Sequence, residues 1–324
     1  MLEEKRVIEK EVFLQKYNIS DDLFQSAGMS WEELCEIYED FSLKFEKYEH
    51  ILKEFVDTYL ENKGKCNTEE KPKIHSIRSR VKNPEHLIAK IIRKKQENAK
   101  KYKKLDKTNY EKFITDLIGI RCLVLFKVDW QSFHRYIISQ FENNVKYYIQ
   151  DCILDFDDDE SHFYIAEKPK VHIRNGDARE IYDKLLPPDS VIDGKIYRSV
   201  HYILKYNGVY LEIQVRTLFE EGWGEVDHAV VYPYYQNDEI LKEYTELLNR
   251  LSGLADEMSA FFYRLKGLEI QALENKALKN DKAKEGETRI DVLDTIIKKE
   301  EKQLGNEKKK MNTPQECLKS VNED

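Results

Sequence analysis

The chain has 324 residues, of which 35% are charged and 41% are hydrophobic, and its formal net charge is -8. This balance fits a globular protein with long exposed helices and excludes a generic nucleic-acid coat, but it does not exclude a local basic site. The five cysteines lack metal-ligand spacing, as in proteins of a reducing compartment. No apolar leader or membrane-length apolar run occurs, so a soluble cytoplasmic protein is predicted.

The first 70 residues are predicted to form helices that support the rest of the chain. Apolar residues recur at helical spacing from Leu34 to Tyr59. Ser30 followed by Glu33 has the pattern of a capping box, so a long helix is expected to begin there.

A basic segment follows, in which residues 71–107 hold fourteen Lys or Arg against three acidic residues. Asn83 and Pro84 are typical of a helix start, and backbone N–H groups at such a start favour anions. Three cations near this start are predicted to bind phosphate, namely Arg80, Lys82 and Lys90. The cations from Lys95 to Lys107 are predicted to form a solvated face.

A buried strand is predicted from Gly119 to Phe126, because the run is apolar except for Arg121. An unpaired charge inside a strand is costly, so Arg121 is expected to have a partner. Asp116 stands just before the strand, where an aspartate serves either as a turn residue or as a ligand.

In the middle of the chain, a helix is predicted over 129–142 and strands over 145–150 and 170–174. A solvated acidic loop is predicted over 155–160, and a short helix over 177–186.

A hairpin is the most informative stretch, because Asn207-Gly208 between two apolar-rich runs is typical of a two-residue turn. This turn pairs Tyr206 with Val209, and side chains alternate along each strand. One face of the hairpin then gathers six polar side chains, and the opposite face is expected to be buried. The polar set is Tyr197, Ser199, His201, Glu212, Gln214 and Arg216.

Beyond the hairpin, a helix is predicted from Thr217 to Val231, with Glu225 and His228 as neighbours one turn apart. A second helix over 238–272 is expected to pack its apolar residues on the body of the protein. From about residue 275 a charged, mobile tail is predicted.

Several stretches in this order resemble the synthetase domain of RelA/SpoT-type alarmone synthetases over about residues 75–235: SRVKNPEHLIAKIIRK, DLIGIR, YRSVH and EIQVRT. The resemblance implies an α/β (α+β) fold, a nucleotidyltransferase-like mixed β-sheet flanked by helices. It also implies a small synthetase without a hydrolase domain. The expected division is 1–70 helical support, 71–236 synthetase domain, 237–274 packing helix and 275–324 tail.

The resemblance further implies transfer of pyrophosphate from ATP to the 3′-hydroxyl of GDP or GTP, with Mg²⁺ as cofactor, held by Asp116 and Glu212. Glu212 could also accept the hydroxyl proton. The ATP-binding positions would be Arg80, Lys82, Lys90 and Arg121. The GDP- or GTP-binding positions would be Tyr197, His201, Gln214 and Lys195, with Arg216, Glu225 and His228 as further candidates.

The sequence departs from the family pattern at two places, the entrance Asp193–Ile196 and the stretch from Ala229 to Val231. Both carry less positive charge than family members often have there, so the acceptor stays open between a free guanosine nucleotide and the 3′ end of tRNA. Lys94 to Lys107 would then contact RNA. A non-catalytic RNA- or ribosome-binding regulator is the alternative of another class. A homo-oligomer is a further expectation from the resemblance.

Overall fold

The computed structural model describes residues 9–61, 72–140, 163–174, 176–187, 189–231, 238–280 and 295–302. The strand predicted at 145–150 and the acidic loop predicted at 155–160 lie outside these ranges. The chain divides into two units, Met1–Asp256 and Glu257–Asp324, each described by itself. None of the helices in the described ranges combines the length and the apolar character that a membrane crossing requires.

Three helices open the chain: α1 (Lys10–Lys16), α2 (Asp21–Ser26) and α3 (Trp31–Phe55), the last continued by a π turn at Val56–Leu60. The predicted capping box is confirmed. The Ser30 hydroxyl accepts a hydrogen bond from the Glu33 N–H at 3.1 Å, and the Glu33 carboxylate accepts one from the Ser30 N–H at 2.8 Å. The apolar stripe of α3 lies in the core, so the predicted long helix is confirmed.

A seven-stranded mixed sheet forms the centre of the described part of the chain. Its strands are β1 (Ser76–Val81), β2 (Ile118–Val124), β3 (Phe163–Ile165), β4 (Lys170–His172), β5 (Val191–Ile192), β6 (Ser199–Tyr206) and β7 (Val209–Thr217). The order is β1-β2-β7-β6-β4-β5, and β3 also pairs with β6. The β2–β7 and β4–β5 pairs are parallel and the others are antiparallel. The predicted mixed sheet flanked by helices is confirmed.

The predicted hairpin and its register are confirmed. Tyr206 pairs with Val209, and the intervening Asn207 and Gly208 have φ of 48° and 79°, as a turn that requires positive φ at both positions demands. The side chains that point away from the polar face, such as Ile213, are buried. Because that face packs in the core, the register cannot slip without exposing the whole apolar set.

The helices around the sheet are α4 (Pro84–Glu97), α5 (Ala99–Tyr102), α6 (Tyr110–Phe113), α7 (Trp130–Gln140), α8 (Glu180–Asp183) and α9 (Leu218–Val226). The Asn83 side chain caps α4 by accepting hydrogen bonds from two backbone N–H groups at 2.9 and 3.4 Å. α9 ends five residues earlier than the helix predicted to Val231, and a π turn at Asp227–Val231 continues it.

One part of the predicted solvated lysine face is wrong. Lys95 is buried, and its ammonium group donates hydrogen bonds to the carbonyl oxygens of Tyr102 and Leu105 at 3.2 and 3.3 Å. These carbonyls belong to the end of α5 and the turn after it, where backbone acceptors need donors. Lys95 therefore ties α4 to the following turn.

The helix α10 (Glu239–Asn280) is longer than the predicted 238–272, so the charged tail predicted from about residue 275 begins as helix. Residues 295–302 are also helical, and the rest of that predicted tail lies outside the described ranges. Within the first unit, the buried residues of α10 are Asn249, Ser252 and Asp256. The prediction that its leucines pack on the body is wrong for Leu247, Leu251 and Leu254, which are exposed.

Candidate functional site

One face of the sheet is polar across five adjacent strands. Side chains at paired positions share a face, and the register aligns the hairpin residues with those of β1, β2 and β4. The aligned positions are Arg78, Arg80, Gly119, Arg121, Glu212, Gln214, Arg216, Ser199, His201, Lys170 and His172. The sheet therefore brings residues far apart in the sequence to one surface.

Asp116 lies in the turn before β2 and holds two of the predicted phosphate-binding cations. Its Oδ2 is 2.9 Å from Lys82 Nζ and 2.6 Å from Lys90 Nζ. Burial raises the pKa of Asp116, but the ammonium groups of Lys90 and Lys82 outweigh burial and bring that pKa below its usual range. Its Oδ1 is buried and has no hydrogen-bond partner in the described part of the chain. Asp116 is thus ionised and has one oxygen available to a ligand.

Glu212 lies on β7 beside Gly119 of β2 and is held from two sides. Its Oε1 is 2.9 Å from His201 Nδ1, and its Oε2 accepts a hydrogen bond from Gln214 Nε2 at 2.9 Å. Burial and the nearby charge of Asp116 raise the pKa of Glu212, but His201 and Gln214 outweigh them, so the pKa is lowered. Asp116 stands just before β2, and Gly119 near the start of that strand pairs with Glu212, so the two residues lie in the same part of the sheet.

These two carboxylates fit a hard divalent cation. Mg²⁺ in phosphate-handling sites is commonly held by one or two carboxylates, with phosphate oxygens and waters completing its coordination. The described residues contain no cluster of three or more His, Cys, Asp or Glu that could hold a metal ion with protein side chains alone. The partnerless Oδ1 of Asp116 and the adjacent Lys82 and Lys90 suit a metal that arrives together with phosphate.

Tyr197 stands at the other end of the polar face, just before β6. Its hydroxyl forms a hydrogen bond with His172 Nδ1 at 2.6 Å. Its ring is nearly parallel to that of Trp223, at 22° and with centroids 6.3 Å apart, and the Arg216 guanidinium lies 6.0 Å from the ring centroid. The His172 and His201 rings are 4.6 Å apart, so this aromatic group is continuous with the Glu212 cluster.

Arg121 has the partner that its position in a strand requires. Its guanidinium donates to Glu221 at 2.9 Å and also to Glu225, both on α9. Glu221 is buried and also contacts Arg78 at 3.6 Å and Arg216 at 3.4 Å. Burial lowers the pKa of Arg121, but Glu221 and Glu225 outweigh burial and raise it. Glu221 therefore fixes three guanidinium groups on the polar face.

The remaining predicted site residues lie around this centre. Arg80 is exposed on β1 opposite Gly119. Lys195 is exposed, and its backbone N–H donates a hydrogen bond at 3.0 Å to the carbonyl oxygen of Ile173, the residue after His172. His228 lies in the π turn after α9, where burial and then the charge of Arg121 lower its pKa.

Three residues that contact the predicted site were not found by sequence reasoning: His172, Trp223 and Glu221. His172 was recognised only as part of a strand, because the pairing of β4 with β6 cannot be derived from either strand alone. Glu221 and Trp223 were recognised on a helix, but a helical spacing does not reveal which strand residues the helix covers.

The geometry defines a class of site: paired carboxylates, two lysines and a set of arginines on one sheet face suit a nucleotide with its phosphates and a divalent cation. Residues 79–237 match a family model described as a region found in RelA / SpoT proteins. Residues 79–237 therefore carry the region that RelA and SpoT proteins share. No curated protein matches the chain significantly.

Solved structures similar to the chain include the small alarmone synthetase 1 from Bacillus subtilis bound to its product pppGpp, with 18% identity over 69% of this chain and 92% of that one and a TM-score of 0.40. A GTP pyrophosphokinase family protein from Streptococcus pneumoniae has 20% identity over 82% of this chain and 98% of that one, also with a TM-score of 0.40. At these identities and TM-scores, the likeness carries no argument about activity.

Proposed function

We propose that this protein transfers pyrophosphate from ATP to the ribose 3′-hydroxyl of GDP or GTP, which makes the alarmones of a stringent response. The observation that carries the proposal is the juxtaposition of Asp116, with its two lysines, and Glu212, with its histidine, inside a RelA/SpoT segment. The 3′-oxygen attacks the β-phosphorus of ATP, the bond from that phosphorus to the oxygen on the α-phosphorus breaks, and AMP leaves with that oxygen.

The donor half of the site would hold the ATP phosphates. Lys82 and Lys90 already converge on one point through Asp116, so they are positioned to neutralise the charge of a bound triphosphate. Arg80 and Arg121 flank this point on β1 and β2, where planar guanidinium groups can stack on adenine. Transfer of a phosphoryl-type group depends mainly on such positioning and charge neutralisation.

The acceptor half would hold the guanosine nucleotide. Tyr197 offers an aromatic ring for the base, and Gln214 and His201 line the approach to Glu212. Lys195 lies within the entrance and is proposed to meet the acceptor phosphates. Arg216 is proposed to keep Gln214 in place, because its guanidinium donates to the Gln214 side chain.

Glu212 is proposed to accept the proton of the 3′-hydroxyl. Its lowered pKa keeps it ionised at neutral pH, and His201 at 2.9 Å holds the carboxylate in position. Asp116 and Glu212 would hold Mg²⁺, which supplies charge neutralisation to the phosphates when it is bound.

The 3′ end of tRNA is the second candidate acceptor, and the ion pairs at the entrance support it as a candidate. Asp193 at the entrance forms an ion pair with Arg179 at 2.7 Å, so an arginine near the entrance is already engaged by two carboxylates, those of Asp193 and Asp183. Exposed lysines on and after α5 could contact an RNA backbone. The non-catalytic regulator is less well supported, because both carboxylates are present and Asp116 contacts both lysines.

One experiment separates these functions. Purified full-length protein is incubated with ATP labelled at the γ-phosphate, Mg²⁺ and either GDP, GTP or bulk tRNA. We expect label in a guanosine nucleotide and none in tRNA. Label in tRNA alone would replace the proposed acceptor, and RNA binding without any transfer would contradict an enzymatic function.

His172→Ala is expected to raise the acceptor KM about tenfold with kcat changed less than about twofold, because the hydrogen bond that orients Tyr197 is worth about 1–1.5 kcal/mol. Steady-state kinetics with varied GTP at saturating ATP would measure this change. The control is Tyr197→Phe, which removes the same hydrogen bond but keeps the ring and should reproduce a similar KM change. An equal fall of kcat in both variants would contradict a positioning role for His172.

A further inference from the structure

We propose that helix α10 positions Tyr197 and thereby sets the affinity of the site for its acceptor nucleotide. The inference deepens the proposed function and rests on it, because Tyr197 is there the residue that meets the acceptor base. Tyr197 lies in irregular backbone between β5 and β6, outside the ladder of strand hydrogen bonds. The position of its ring therefore depends on contacts with other elements.

The first contact holds the backbone beside Tyr197. Arg198 is buried, and its N–H donates a hydrogen bond to the Glu220 carboxylate at 3.2 Å. Its guanidinium donates to Asp256 of α10 at 2.7 Å and to Asp177 at 2.7 and 3.0 Å. Because the N–H of Arg198 belongs to the planar peptide bond that follows Tyr197, these contacts fix the backbone on one side of the tyrosine.

The second contact holds the ring that lies beside Tyr197. The buried Trp223 ring of α9 is nearly parallel to the tyrosine ring, at 22°, with centroids 6.3 Å apart. The indole has a single polar group, its N–H, which donates to the Thr245 carbonyl oxygen of α10 at 3.1 Å. Aromatic pairs depend on the relative orientation of the two rings. A shift of α10 would therefore turn the ring that packs beside Tyr197.

A third contact connects α10 to the carboxylate that holds Arg198. The Nε of Arg174 donates a hydrogen bond to Asn249 Oδ1 of α10 at 2.9 Å, and its Nη1 forms an ion pair with Glu220. Glu220 is 1% exposed, and a buried charge is costly unless it is paired. Thus α10 holds Arg174, which in turn holds the carboxylate that accepts the hydrogen bond from Arg198.

The three contacts arise from one face of α10 and act on one half of the site. Thr245, Asn249 and Asp256 are separated by four and seven residues, which places them on one face of a helix. In the part of the chain that the structure describes, neither Asp116 nor its two lysines form a hydrogen bond or ion pair with α10. A shift of α10 is therefore expected to weaken acceptor binding and to leave ATP binding unchanged.

The test compares two replacements of Asn249 in the full-length protein, with GTP as the varied acceptor. Asn249→Leu removes the acceptor of the Arg174 hydrogen bond and should raise the acceptor KM about tenfold, because the site loses part of its preorganisation. The value of kcat and the KM for ATP should each change less than about twofold. Asn249→Asp should restore the acceptor KM, because it keeps an oxygen for Arg174 and replaces an NH₂ group that has no hydrogen-bond partner among the described residues.

The matched control is Glu246→Leu, which introduces the same side chain at an exposed position of α10 and should leave every kinetic constant unchanged. Hydrogen exchange followed by mass spectrometry measures the positioning directly. The peptide that contains Tyr197 and Arg198 should exchange faster in Asn249→Leu, and the peptide that contains Lys82 should not. Circular dichroism establishes that each variant is folded.

An unchanged acceptor KM in Asn249→Leu would overturn the inference and leave the proposed function in place. Equal changes in the constants for acceptor and ATP, or no recovery in Asn249→Asp, would indicate a general loss of structure and would also overturn it. A wild type that transfers no pyrophosphate to GDP or GTP would contradict the proposed function itself. In that case the exchange measurement alone decides whether α10 positions Tyr197.

Discussion

Glu212→Gln is expected to reduce pyrophosphate transfer by about 10³-fold or more while leaving ATP binding nearly unchanged. The substitution keeps the size of the side chain but removes the charge that would hold Mg²⁺ and accept the hydroxyl proton, and contributions of these kinds are worth several kcal/mol. Transfer is measured by initial rates with labelled ATP, and ATP affinity is measured by titration calorimetry. The donor contacts are unaffected, because Lys82 and Lys90 contact Asp116 rather than Glu212.

The control for this prediction is Glu225→Gln, which changes a carboxylate of α9 that contacts two arginines of the same polar face. Glu225 is 48% exposed and contacts Arg121 and Arg78 from α9, so its loss should lower the rate far less than the loss of Glu212. Normal turnover in Glu212→Gln would contradict the assignment of this carboxylate. Equal losses in the two variants would show that the effect is not specific to the proposed catalytic centre.

Arg198→Leu is expected to lower the free energy of unfolding by about 3–5 kcal/mol, because it would leave the buried Asp256 and the partly buried Asp177 without their cation. Arg198 is buried and contacts Asp177 and Asp256, each at 2.7 Å. Burial raises the pKa of Asp256 to about 6 even with Arg198 in place, which shows how costly its charge is in this position. Urea unfolding followed by circular dichroism measures the change.

Arg179→Leu is the matched control for the stability prediction. Arg179 also contacts two carboxylates, Asp183 and Asp193, but all three side chains are about half exposed. Exposed ion pairs contribute little to stability, so this variant should unfold at nearly the same urea concentration as the wild type. Similar losses in the two arginine variants would contradict the view that burial makes the Arg198 cluster important.

Local patterns predicted the hairpin well. Asn207-Gly208 fixed the turn, the turn fixed the register, and the register placed His201 beside Glu212 and Gln214 as observed. The capping box at Ser30 and the cap at Asn83 could also be predicted from the sequence, because a helix start depends on contacts within a few residues. The need of Arg121 for a partner followed from the cost of a buried charge.

Contacts between distant segments could not be predicted from local sequence patterns. The pairing of β1 with β2, which aligns Arg80 with Gly119, involves a strand that the sequence presented as part of a basic segment. The helix α10 shows a different limit. Its leucines have the spacing of a buried face, but the residues that anchor it are Asn249 and Asp256, which contact Arg174 and Arg198 respectively. The spacing of apolar residues predicts that a helix face is covered, but it does not identify the residues that cover it.

The central claim is most directly tested by identifying the products formed from ATP and GTP with Mg²⁺. Anion-exchange separation and mass spectrometry would quantify each nucleotide over the time course. We expect AMP and a guanosine nucleotide carrying two additional phosphates at the 3′ position, in a one-to-one ratio, and we expect neither product with Glu212→Gln. Formation of ADP in place of AMP, or AMP without a 3′-modified guanosine nucleotide, would contradict the proposed reaction.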